Sequence, residues 1–334
     1  MALPDPLDCS PFQGEAMAEL DLTKLLANFP PPATAADMRR MIDMFAGFLN
    51  ADLPPVGALH TAVSVSEGVT ADVVVPKGSG PFPVLVYLHG GGWICGSPTT
   101  HRKLAHRFAE AGYLVVNVDY RLAPEHPFPT PLDDCLAAIR WAAREASRFG
   151  GDASRLAVGG DSAGGNLTAA AASALRGDAA APKACLLIYG VFDFARLDED
   201  TTGFDAAAAG MPADIGGKLL RLMVESYLGA SPSAAVLADP RVSPVHAAHR
   251  LPPTHVVVGS ADPLVLQARA LAEQLADAGV EHELFVDPAM PHGYVQMEFL
   301  PFARPAIDRM VAFLRKHVSA ESGLPDQGVT RPSG

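Results

Sequence analysis

The chain is poor in cysteine, with four among 334 residues, at Cys9, Cys95, Cys135 and Cys185. They are scattered and show no paired ligand spacing. That argues against a disulfide framework or a zinc site, and for buried free thiols in a reducing compartment. The 11 histidines include no H-E-x-x-H and no close His/Cys cluster. His101 and His106, five apart, share a helix face poorly, so no metal and no cofactor is expected. Positive charge is also scarce: 25 Lys and Arg stand against 37 Asp and Glu, for a net charge of -12. With no long basic stretch, a nucleic-acid partner is not expected. No window approaches the roughly 18 uninterrupted apolar residues of a membrane span, so no stable membrane association is expected. The opening MALPDPLDCS carries acids where a secretory signal carries bases, and no apolar core follows. A cytoplasmic location is the expectation.

What is present is a large apolar fraction, 49%, enough for a sizeable core and too much for extensive disorder. ADMRRMIDMFAGFL at 36–49 places apolar residues three and four apart and predicts an amphipathic helix. Short β-rich stretches follow at 62–66 and 70–75. Apolar runs at 84–88, 113–118, 155–159, 185–189, 254–259 and 282–286 read as buried strands. Helical segments lie between them near 101–111, at 131–147, from 163 and through Ala278, with a last one at 304–317. This alternation predicts a mostly parallel sheet with helices on both faces. Residues 191–250 break the pattern. Within them, 214–228 predicts a helix with an apolar face of Ile215, Leu219, Leu220, Met223, Val224 and Leu228. An inserted apolar face must cover something, and the carboxyl edge of the sheet is where open α/β folds bind ligands. The expected organisation is therefore N-terminal cap helices at 1–55, a catalytic domain at 56–190 and 241–318, a cap insertion at 191–240, and a loose tail at 319–334.

Gly160-Asp161-Ser162-Ala163-Gly164 matches G-x-S-x-G between a predicted strand and a predicted helix. Small neighbours permit a sharp turn that presents the Ser162 oxygen, with the Ala163 N–H near a helix N-terminus. His89-Gly90-Gly91-Gly92-Trp93 follows an earlier strand. Its glycines leave N–H groups unobstructed, so Gly91, Gly92 and Ala163 are the expected oxyanion donors, with His89 ordering the loop. A serine needs a base, and the base an orienter. His292, in PAMPHGY, and Asp262, in VVVGSADPL, each follow a strand and can reach across the top of the sheet. Asp239 is the competing acid, ranked lower because it lies in the irregular insertion. Asp161 is expected to point away from the base. Asp133-Asp134 reads as helix N-terminal charge. The order Ser162, Asp262, His292 is that of α/β-hydrolases.

At this point the chain resembles the hormone-sensitive-lipase-like carboxylesterases of the α/β-hydrolase superfamily, particularly the bacterial ones. HGGGW at 89–93, DYRLAPEHPFP at 119–129, GDSAGG at 160–165, DPL at 262–264 and HGY at 292–294 carry the resemblance. It implies an α/β-hydrolase fold with an eight-stranded, mostly parallel sheet, helices on both faces and a helical cap. It implies Ser162 as nucleophile, Asp262 as acid and His292 as base. It further implies hydrolysis of short- to medium-chain acyl esters without a cofactor, on a small-molecule ester substrate, in a protein that can be a homodimer. DYRLAPEHPFP corresponds to a structural segment beneath the site. Trp93, Asp161, Phe45, Leu220 and Val265 are the expected substrate-pocket residues. Two departures stand out: Val265-Leu266-Gln267 follows DPL where the family continues to an acidic pair, and Tyr189-Gly190-Val191-Phe192-Asp193 replaces Y-P-x-x-D. The triad alone does not separate an esterase from an amidase, lactonase or deacetylase. A non-catalytic small-molecule-binding protein on this scaffold is opposed by the presence of His292.

Overall fold

The computed structural model describes residues 32–202 and 215–318. Eight strands form one sheet in the order β1-β2-β4-β3-β5-β6-β7-β8. They are β1 (Ala58–Ser66), β2 (Val69–Val75), β3 (Phe82–Leu88), β4 (Leu114–Asp119), β5 (Gly151–Asp161), β6 (Cys185–Ile188), β7 (Thr254–Gly259) and β8 (His282–Asp287). β1 and β2 form an antiparallel pair, β2 meets β4 antiparallel, and every other neighbour is parallel. The parallel strands are rich in Val, Leu and Ile because helices cover both faces, and β7 is buried along its whole length.

The chain leaves β3 for β4 on one side and then returns to lay β5 on the other. The carboxyl ends of β3 and β5 therefore flank a topological switch point, where a crevice opens. His89 to Trp93 follow β3, and Ser162 follows β5. Asp262 follows β7, and His292 follows β8. The helix Ala163–Ala174, almost all small residues, is buried from Ala163 to Ser173. Its narrow alanine surface allows close packing against the sheet.

β5 begins four residues earlier than its apolar run. Gly151 and Asp152 pair with Phe82 and Pro83 ahead of a register irregularity, a backbone extension that the polar side chains of DASR conceal. The predicted helix at 36–49 is Ala35–Leu49, opened by a capping box between Thr34 and Asp37. The segment between β6 and β7 carries the helices Leu197–Thr201, Ile215–Leu228 and Ala234–Leu237. Residues 1–31 of the expected cap helices, 203–214 of the expected insertion and the expected tail at 319–334 lie outside the described residues. Among the described residues no helix is long and apolar enough to cross a membrane.

Candidate active site

Ser162 sits between β5 and its helix with φ 54° and ψ -120°. A non-glycine residue holds such a conformation only where its surroundings fix it. Here Ser162 N–H donates to Ile188 O at 2.8 Å, and Ser162 O accepts from Asn166 N–H at 3.1 Å. The flanking glycines are required by close approach. A methyl group at Gly164 would collide with the carbonyl of Leu88, and one at Gly160 with those of Leu88 and Gly164. The turn thus presses against the end of β3 and leaves Ser162 half-buried with its hydroxyl presented.

The Ser162 Oγ lies 2.9 Å from His292 Nε2, and His292 Nδ1 lies 2.8 Å from Asp262 Oδ2. The Asp262 carboxylate is fully buried, whereas the His292 side chain is one third (33%) exposed. Asp262 Oδ1 also accepts from Leu264 N–H at 2.8 Å, which fixes the acid through its own loop. Burial opposes a charged His292, but the charge of Asp262 and its hydrogen bond outweigh that, and His292 is held above the ordinary histidine range. The Tyr189 ring packs against the imidazole, with centroids 4.8 Å apart. The competing acid Asp239 is instead held by Arg241, at 2.7 Å.

In the glycine loop, Gly91 has φ 125° and Gly92 φ 59°. Gly91 O accepts from Ile94 and Cys95 N–H, closing a tight turn. No acceptor among the described residues takes the N–H groups of Gly91, Gly92 or Ala163. His89 Nδ1 meets Gly90 O at 2.9 Å, and Tyr120 stacks on its ring while donating to His89 O at 2.7 Å. Burial, with His101 nearby, pushes His89 down to about 3, so it is a neutral loop support. Tyr120 belongs to DYRLAPEHPFP, whose Arg121 is gripped by Asp134 at 2.7 Å. Asp134 is thus a buried anchor for that segment as well as an early helix charge.

Comparison with known proteins places the chain in a family. A family model described as alpha/beta hydrolase fold matches residues 85–296. Carboxylesterase NlhH of Mycobacterium tuberculosis is 38% identical over 241 residues, covering 71% of this chain and 75% of that protein. Ethyl acetate hydrolase of Pseudomonas putida is 34% identical over 240 residues, covering 70% and 73%. The hyperthermophilic esterase of the archaeon Pyrobaculum calidifontis superposes with a TM-score of 0.80 at 28% identity, covering 90% of this chain and 97% of that one. An esterase of the bacterial hormone-sensitive lipase family gives 0.73 at 35% identity, covering 89% and 96%. The chain belongs to the hormone-sensitive-lipase-like family of α/β-hydrolases. It is a serine carboxylic-ester hydrolase.

Two residues expected around the substrate of this family member are engaged elsewhere. Trp93 is 1% exposed and lies flat on Tyr227, with centroids 4.7 Å apart, which fastens the helix Ile215–Leu228 to the glycine loop. Asp161 is 2% exposed, and its carboxylate accepts from Tyr87 Oη at 2.8 Å and Gly90 N–H at 3.0 Å. Stacking and buried hydrogen bonding claim these two side chains before a ligand can. Phe45, Leu220 and Val265 are half-buried. Met223, one turn before Tyr227, lies so close that a methyl group at Gly92 would collide with its side chain. The sequence marks Met223 only as one apolar position among several.

The departure at Gln267 has a structural role that its position after DPL does not reveal. Gln267 is 1% exposed, and its Oε1 accepts the N–H groups of Phe192 at 3.0 Å and Asp193 at 2.7 Å. Its Nε2 donates to Asp200. It therefore secures the root of the segment after β6, the second departure. Gln267→Leu leaves two backbone donors without their acceptor, at about 1–3 kcal/mol each. Urea unfolding is expected to show a loss of about 2–6 kcal/mol, and an unchanged midpoint would contradict this role.

Proposed function

We propose that this protein hydrolyses short- to medium-chain acyl esters through an acyl-enzyme on Ser162, with His292 as general base and Asp262 as its orienter. The unbroken relay Ser162–His292–Asp262, at 2.9 and 2.8 Å, carries the reading. His292 Nε2 takes the Ser162 proton as Oγ bonds to the ester carbonyl carbon, and the carbonyl electron pair moves to oxygen. The N–H groups of Gly91, Gly92 and Ala163 receive that oxyanion. As the tetrahedral centre collapses, the bond to the alcohol oxygen breaks and His292 returns the proton to it. Water, deprotonated by His292, then attacks the acyl carbon and frees the acid, while the proton returns to Ser162.

In this reading, the described parts of the N-terminal segment and the insertion, 32–55, 191–202 and 215–240, form a cap, and Phe45, Leu220, Val265 and Met223 bound the acyl or alcohol group. The packing of Met223 against Gly92 supports a pocket of limited depth. The reading also places the protein in the cytoplasm, supported by the buried free thiols of Cys95, Cys135 and Cys185. It allows two copies to associate along the outer edge of β8. Turnover of p-nitrophenyl esters from acetate to palmitate is the test. A maximum at a short chain is expected, and a maximum at palmitate would overturn the chain-length assignment.

A further inference from the structure

Asp161, the residue before Ser162, is a buried carboxylate shared by three segments of the site. β3 donates through Tyr87 Oη at 2.8 Å, the glycine loop through Gly90 N–H at 3.0 Å, and the base loop through Gln296 Nε2 at 3.1 Å. His101 Nε2 stands 3.2 Å from Asp161 Oδ1. Gln296 lies four residues beyond His292, in the short helix Tyr294–Gln296.

His101 Nε2 is also 3.3 Å from Asp161 Oδ2, and His101 Nδ1 lies 2.8 Å from Thr100 Oγ1. Gln296 Nε2 stands 2.8 Å from His101 Nε2, and Gly90 N 3.3 Å from it. The Gln296 amide is oriented by Asp161, because the opposite flip would set carbonyl oxygen against carboxylate.

Resting on the esterase reading above, we infer that Gln296 is a positioning residue for ester hydrolysis. It shares the Asp161 carboxylate with Gly90 N–H, immediately ahead of the oxyanion donors Gly91 and Gly92. Its amide also ties the base loop to the nucleophile turn and the glycine loop through one carboxylate.

Q296L and Q296E have nearly the same shape as Gln296 but lack its paired N–H donors. With rates normalised to folded protein, kcat for p-nitrophenyl butyrate is expected to fall about tenfold in each, with KM within about threefold, as displaced oxyanion donors require. A Q296L kcat within about twofold of wild type, or a loss that appears only in KM, overturns the inference, as does a failure of both variants to fold, which would make Gln296 a residue of stability alone. With S162A assayed alongside, failure of the nucleophile assignment appears as turnover retained by that variant, distinct from an unaffected Q296L.

Discussion

Ser162→Ala is expected to lose at least about 10⁴-fold in kcat toward short p-nitrophenyl esters. Among the described residues no other serine or threonine has a positive φ, and His292 Nε2 has Ser162 Oγ 2.9 Å away. The residual rate would come from the glycine-loop N–H groups and substrate binding, which the substitution leaves in place. Stability should move little, by about 0.5 kcal/mol or less, because Oγ is no part of the backbone hydrogen bonds that hold the turn. Stopped assays paired with thermal unfolding separate the two effects. A folded variant retaining more than about 1% of wild-type kcat would remove Ser162 as nucleophile.

Asp262→Asn is expected to cost about 10³–10⁴-fold in kcat, since an amide at this position no longer favours the Nδ1–H tautomer needed to leave Nε2 as the base. The pH profile gives an independent sign. His292 is held above the ordinary histidine range, so wild-type kcat/KM should fall on the acid side with a midpoint above about 6.5, as the base becomes imidazolium. Without the Asp262 charge, burial is left acting the other way, and the acid limb of the variant should move to lower pH. In stability the sense is reversed. The ion pair stabilises the fold fully below the unfolded histidine pKa, and the contribution is lost as pH rises through the raised folded value. A variant with wild-type rate and an unmoved acid limb would contradict the role of Asp262.

The chemistry-bearing residues were legible because each lies directly after a strand, and strand signals in a parallel sheet are strong. Val84–Leu88 and Thr254–Gly259 are apolar runs whose ends point to His89 and Asp262 without further information. GDSAGG was legible for a related reason: its glycines answer to collisions with Leu88 and Gly164 that any side chain would cause. The start of β5 was hidden because Gly151 and Asp152 pair through their backbone ahead of a register irregularity, while the side chains of DASR look like a loop. Asp161 and Trp93 were misplaced by nearness in sequence. Their side chains are claimed by Tyr87, Gly90 and Tyr227, partners that only the fold brings near. The partners of Gln267 and Gln296 were hidden for the same cause. A glutamine advertises no charge or period, and its value lies in two donors and an acceptor whose partners are distant in sequence.

The proposed mechanism passes through a covalent acyl group on Ser162. Wild-type protein mixed with p-nitrophenyl butyrate, quenched in acid during turnover and digested, tests it most directly by mass spectrometry. One butyryl group is expected, confined to the peptide containing Ser162 and absent from Ser162→Ala. Turnover with an unmodified Ser162 peptide, or a butyryl group on another residue during turnover, would contradict it.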